Sequence, residues 1–352
     1  MRKFVALLMT LLLMLSLAVV PAAADEEPAE EATSLSEAEE DAAEAVAEAG
    51  KKELTFFLIP KCVHEWFEAV DMGAQAEAKA LKDAYGIDIT VNYVAPSSAE
   101  ITVQNSVLEQ AAAQKPDGIM LDPCDWEGSK AIIKEIQAQG IPVILFDAAV
   151  PGSGLTAVGN DFSEQAELEA RDLAERLGEK GKVAVMHGVT TAPNHAERYD
   201  TFWRVLAEYP DIEVIEGGAS QDNIEISQQQ AAATIAANPD LAGYLCVDAA
   251  APIGISAAIE EAGKQDQITF VGAENLLQIL QYVKNGTICC SYSTYPQMQG
   301  ALSVLTLLQA AAGQDIPQFV DTGILYIDEN NIDEWIELVE SGQESSGDSV
   351  NG

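Results

Sequence analysis

Between Lys51 and about Trp335, short apolar runs alternate with stretches whose apolar residues recur at helical spacing. That alternation restricts the fold most, because strands separated by helices build a parallel sheet covered on both faces. Ten runs read as strands: "LTFFLI" at 54–59, "IDITVNY" at 87–93, "GIML" at 118–121, "PVILFD" at 142–147, "VAVM" at 183–186, "IEVIE" at 212–216, "GYLCV" at 243–247, "ITFVG" at 268–272, "ICCSYS" at 288–293 and "GILYI" at 323–327. Between them, Phe67, Val70, Ala74, Ala78 and Leu81 share one helical face, as do Ile132, Ile133 and Ile136 ahead of "QGIP". Ten strands are too many for one tidy sheet, and 352 residues with 48% hydrophobic content suffice for two units. The expected class is α/β, with two doubly wound, Rossmann-like lobes.

The ends of the chain read differently. Arg2 and Lys3, an apolar run from Phe4 to Val20, and Ala22 and Ala24 before Asp25 form the pattern of an export signal over 1–24. The same run could just span a bilayer as an anchor, but its small-residue exit favours cleavage. The mature protein is thus expected outside the cytoplasm, in the periplasm or on the outer face of the cell membrane. No cysteine near the site offers a lipid anchor. Residues 25–52 are rich in Ala and Glu and read as an acidic, solvated spacer with transient helix, and 339–352 as a flexible tail. A formal charge of −39 excludes nucleic acid as a partner and serves solubility.

Ligands of doubly wound sheets bind beyond the carboxyl ends of the strands. In this chain those positions hold Lys61 to Phe67, Asp122 to Trp126, Asp147, His187, Asp248 and Glu274. Carboxylates end four of the strands, and a buried one needs a donor to offset its desolvation. Trp66 and Phe67 offer flat apolar faces, although Phe67 is also spaced to pack with Val70. Asp147 is followed by "AAVPGSG", which is no helix, whereas Asp248 precedes a helix and could serve as its cap.

The pieces "EWFEAVDMGAQAEAKAL", "PDGIMLDPCD", "IQAQGIPVILFDA", "HAERYDTFW", "NPDLAGYLCVDAAAPIGISAAIEEAG", "ITFVGAEN" and "VKNGTICCSYSTYPQMQG" occur in an order and spacing that resembles the ribose-binding-like group of type I periplasmic binding proteins of ABC transporters. The resemblance runs from about 53 to about 335. It implies two lobes joined by three hinge crossings, an N-terminal lobe from 53–159 plus 295–323 and a C-terminal lobe from 160–294 plus 324–338. It also implies a sugar held in the cleft by Trp66 and Phe67 as stacking aromatics, with His64, Asp147, Arg198, Asp248, Glu274 and Thr294 as polar contacts; Asp122 joins the candidate ligand contacts from its strand-end position alone. Such a protein hands its solute to a transporter permease, is expected to be a monomer, and needs no cofactor. Two departures put plain ribose in doubt. Ala148 stands where the family usually carries arginine, and Lys61 resembles the branch that binds the furanose-derived autoinducer-2 signal. A different sugar, a sugar acid, a polyol or a furanosyl signal fits equally.

Other readings compete on the residues. The three histidines, His64, His187 and His195, fit no short zinc motif, so no metal is expected. There is no G-x-G-x-x-G after the first strand and no G-x-S-x-G elbow, and facing carboxylates can bind a sugar without hydrolysing it, so no enzyme is expected. A sensor subunit for a chemoreceptor or kinase would use the same closing clamp. Five cysteines leave at least one unpaired. Cys62 with Cys124, and Cys246 with Cys289 or Cys290, are possible pairs beside buried free thiols.

Overall fold

The computed structural model describes residues 35–342. The export-signal reading of 1–24 and most of the expected tail lie outside them. The chain runs through α1 (Leu35–Glu48), β1 (Glu53–Ile59), α2 (Glu65–Tyr85), β2 (Asp88–Tyr93), α3 (Ile101–Ala112), β3 (Gly118–Leu121), α4 (Trp126–Ala138), β4 (Val143–Phe146) and β5 (Ala157–Gly159). It continues through α5 (Phe162–Arg176), β6 (Lys180–His187), α6 (Pro193–Leu206), β7 (Asp211–Ala219), α7 (Ile224–Ala237), β8 (Leu241–Cys246), α8 (Ala251–Glu261), β9 (Thr269–Ala273), α9 (Leu277–Asn285) and β10 (Cys290–Ser293). Last come α10 (Pro296–Ala311), β11 (Phe319–Asp321), β12 (Leu325–Ile327) and α11 (Ile332–Glu340).

Two six-stranded sheets result, ordered β11-β5-β4-β3-β1-β2 and β12-β10-β9-β8-β6-β7. The first five strands of each follow the same winding, and every pairing is parallel except β10 with β12. The chain passes from one sheet to the other three times: after β5, after β10 and between β11 and β12. The strands β3 and β4 are buried at every position, because helices cover both faces of a parallel sheet.

Local chemistry sets the helix ends. The side chains of Asp125, Asp161 and Asn223 accept backbone N–H groups in the first turns of α4, α5 and α7. Prolines open α6, α8 and α10, where a missing N–H costs nothing. Helices α2 and α10 pack so closely that a Cβ on Gly73 would lie 1.9 Å from the Gln297 carbonyl oxygen, and one on Gly300 1.9 Å from that of Val70.

Over 35–48 the acidic segment is not a solvated spacer. It forms α1, whose Ala42, Ala43 and Val46 are buried in the core cluster that also holds Leu81 and Leu308. Full burial of a valine is worth about 1.5–3 kcal/mol, enough to hold a short helix against its neighbours. The same docking covers Glu77 on α2, whose carboxyl burial raises to about 8, with the nearby Glu39 of α1 adding to the effect. All five cysteines are free thiols, so neither proposed pairing is present.

Candidate functional site

The two sheets present equivalent positions to one cleft. Asp122 follows β3 and Asp248 follows β8, while Asp147 follows β4 and Glu274 follows β9, each at the same place in its own sheet. Asp147 and Glu274 share a further property, a left-handed backbone with φ of 59° and 69°. Such a conformation costs a non-glycine residue about 1–3 kcal/mol and persists where its surroundings impose it. Here each residue's N–H bonds to the neighbouring strand, Asp147 to Val158 at 2.9 Å and Glu274 to Tyr292 at 2.9 Å.

Lys61, at the end of β1, is 1% exposed and lies 2.7 Å from Asp122 Oδ2 and 3.0 Å from Asp147 Oδ2. Burial opposes its charge, but the carboxylates of Asp122, Asp147 and Asp222 outweigh it and hold the ammonium above its usual pKa. Burial likewise pushes Asp122 upward against the pull of Lys61. Asp147 also accepts from Asn194 Nδ2 at 2.6 Å, a contact between the lobes.

Trp66 and Phe67 stand in the first turn of α2, where His64 is the N-cap and accepts the Trp66 N–H through Nδ1. The two rings meet edge to face with centroids 5.2 Å apart, and Phe67 meets Phe146 in the same manner. Trp66 does more than offer a face. Its Nε1 donates to Glu274 Oε2 at 3.0 Å and lies 3.2 Å from Thr294 Oγ1, across the cleft.

Arg198, on α6, is the other buried cation. Its Nη1 donates to the Val247 carbonyl at 2.8 Å, and its Nη2 to Gln165 Oε1 at 2.9 Å and Glu274 Oε1 at 3.0 Å. Its guanidinium carbon lies 4.1 Å from the Phe162 ring centre, so both Nη atoms and one face of the group are held. Asp248 lies two residues ahead of Ala250, the N-cap of α8, and lines the cleft. Its Oδ1 accepts from the N–H groups of Ala250 and Ala251 at 3.0 and 2.7 Å, and its Oδ2 from the Ser220 hydroxyl. Burial raises its carboxyl to about 7, the charge of Asp222 adding to the effect.

Eight of the ten expected residues line one narrow cavity: Lys61, His64, Trp66, Phe67, Asp147, Arg198, Asp248 and Glu274. Asp122 and Thr294 are not on its wall. Asp122 sits behind Lys61 as its counter-charge, and Thr294 supports Glu274 with a hydrogen bond of 2.7 Å from Oγ1 to Oε2. Sequence reasoning missed Asn194, Asp222 and Ala249 on the wall, and named His195 only as a histidine. Asp222 lies just past β7, whose strand continues through Gly217 and Gly218 to Ala219 beyond the apolar run that marked it. Applying the strand-end rule three residues later would have found it.

His195, Asp222 and Asp248 bring ligand atoms within 4.8 Å of one another, a spacing that could hold a metal ion. The donor chemistry does not fit one. The Nδ1 lone pair of His195 accepts the Val189 N–H at 2.9 Å, which leaves Nε2 carrying the proton. His64 is committed in the same way by Trp66. Burial lowers the pKa of both rings, so each is a neutral donor toward the cleft.

A two-lobed clamp with aromatic walls and fixed polar groups at its strand ends is the architecture of a solute receptor. The profile of the periplasmic binding protein domain matches residues 55–315, and the chain belongs to that family. It is 24% identical over 286 residues to a D-ribose/D-allose-binding protein of Pseudomonas aeruginosa, covering 79% of this chain and 88% of that protein. It is also 24% identical over 263 residues to the ribose import binding protein RbsB of Bacillus subtilis, covering 72% and 80%. Among solved structures, the glucose-galactose binding protein GanP of Geobacillus stearothermophilus superimposes with a TM-score of 0.74 at 26% identity, over 80% of this chain and 99% of that one. An ABC transporter solute binding protein of Agrobacterium vitis with bound D-fucose gives 0.76 at 25% identity, over 80% and 97%.

Proposed function

We propose that the protein is an exported, non-catalytic receptor that closes its lobes on a sugar or sugar-like polyol and delivers it to the permease of an ABC importer. The carrying observation is the Trp66–Glu274–Arg198 chain of contacts, in which an aromatic of one lobe and a fixed ion pair of the other meet on one cavity wall. A sugar offers an apolar C–H face and a rim of hydroxyls, and this wall answers both. Closure follows when the ligand binds the shut clamp better than the open one, which contacts from both lobes ensure.

The absence of turnover is supported by how the two strand-end acids are held. Asp147 faces Lys61 and Asn194, and Glu274 faces Arg198, Trp66 and Thr294, so neither is placed to hand a proton to a leaving group. The likeness to a ribose import binding protein supports the transport role, and the amino-terminal pattern supports export. The test is titration calorimetry of the purified mature protein against pentoses, hexoses, polyols and furanosyl signals, with mass spectrometry of any copurified solute. One chemical class is expected to bind at micromolar Kd or better. Binding no tighter than millimolar across the panel, with no copurified solute, would overturn the reading.

A further inference from the structure

The cleft holds more acid than its cations answer. Asp122, Asp147, Asp222, Asp248 and Glu274 are gathered around it, against Lys61 and Arg198 among the described residues. The imidazoles of His64 and His195 do not make up the difference, because burial keeps both neutral.

Four of the five acids are met by protein groups: Asp122 and Asp147 by Lys61, Glu274 by Arg198, and Asp248 by Ser220 and two backbone N–H groups. Asp222 is different. Its side chain is only 7% exposed and lines the cavity, yet its carboxylate accepts no hydrogen bond from the described residues, and the nearest ring nitrogen, His195 Nε2, is 4.0 Å away. With no protein donor on it, this carboxylate is open to a charge-assisted hydrogen bond from a bound solute. Oxygens of Asp222 and Asp248 come within 4.8 Å of each other, and an ammonium nitrogen about 2.8 Å from each spans that gap.

We infer that the solute carries a basic nitrogen, as in an amino sugar or an iminosugar, and that this nitrogen docks between Asp222 and Asp248. The inference rests on the receptor reading above and narrows it, turning away sugar acids and sugar phosphates, whose charge the same carboxylates repel. Burial raises both acids, Asp222 to about 6 and Asp248 to about 7, so each can carry a proton near neutral pH that an arriving ammonium displaces. Binding an ammonium there stabilises the charged carboxylates and releases whatever proton they hold.

The test uses matched pairs in calorimetry: glucosamine with glucose, galactosamine with galactose, and 1-deoxynojirimycin with 1-deoxyglucose, with N-acetylglucosamine as the amine made neutral. An amine is expected to bind at least ten-fold tighter than its neutral partner, with heats that depend on the buffer's ionisation enthalpy because a proton is released. In Asp222→Asn, with an unchanged melting temperature, that margin is expected to fall to three-fold or less. Neutral sugars binding as well as or better than their amines would overturn the inference while leaving the receptor reading intact. A margin that survives in Asp222→Asn would overturn the docking position. No binding by either set, alongside the failure of the broader panel, would remove the receptor reading itself.

Discussion

Trp66 Nε1 donates to Glu274 Oε2 at 3.0 Å, and this bond ties the first turn of α2 in one lobe to the strand end after β9 in the other. A hydrogen bond to a charged group is worth about 1.5–3 kcal/mol, all of it realised only in the shut clamp. Trp66→Phe keeps an aromatic wall and removes the bond. Ligand affinity is therefore expected to drop roughly ten-fold or more, and small-angle scattering of the ligand-free variant should report a larger radius of gyration. An unchanged affinity would mean that the bond plays no part in closure.

Lys61 answers two buried carboxylates at once. Lys61→Met leaves Asp122 and Asp147 facing one another without a cation, a loss on the order of 3–5 kcal/mol. The melting temperature at neutral pH should fall by many degrees. Part of the loss should return as the pH is lowered, because protonating Asp122, already displaced upward by burial, removes one of the two charges. A second change, Asp122→Asn in the Lys61→Met background, should restore stability at neutral pH by the same route.

Glu77 provides a pH dependence of known sign. Its folded value of about 8 exceeds the ordinary 4.5, so the folded state holds this proton more tightly than the unfolded chain. The stability it contributes is complete below about 4.5 and is lost as the pH rises through about 8. Glu77→Gln keeps the shape and removes the titration. Chemical denaturation at pH 5 and pH 8 should give the variant a smaller difference than the wild type, with the variant the more stable at pH 8. Equal slopes for both proteins would refute this.

Gly300→Ala tests the close approach of α2 and α10. The added methyl would meet the Val70 carbonyl oxygen at 1.9 Å, and that oxygen belongs to helix backbone rather than to a movable side chain. The helices must separate, at a cost of about 1–3 kcal/mol. A urea midpoint within error of the wild type would sink the idea.

Much of the fold was legible because its information is periodic. "GIML" and "PVILFD" announce buried parallel strands, and β3 and β4 lie within a residue of them. The three-residue strands β5 and β11 were missed. Neither "AVG" nor "FVD" carries a pattern of its own, and Phe319 in the latter is exposed, so these strands exist only through pairing with their neighbours. The docking of α1 was hidden for a different reason: a face made of Ala42, Ala43 and Val46 offers little hydrophobic contrast, and its burial depends on α2 and α10. Within the site, strand-end position brought Asp147, Asp248 and Glu274 forward, while Asp222 was concealed in "SQDN", which reads as an ordinary turn. The places of Asp122 behind Lys61 and of Thr294 behind Glu274 depend on side-chain packing that spacing does not encode.

The docking of α1 and α2 against α10 also bears on the order in which the molecule acquires its structure. The first sheet's helical layer draws on both ends of the chain, residues 35–85 and 296–311, whereas β6 to β10 of the second lie in one unbroken segment. Contacts between distant segments must overcome a large loop-closure entropy, and nearby ones a small one. A chain cut short before residue 296 therefore lacks the helix that covers β1 and α2, and leaves apolar surface of the first sheet's layer without its partner.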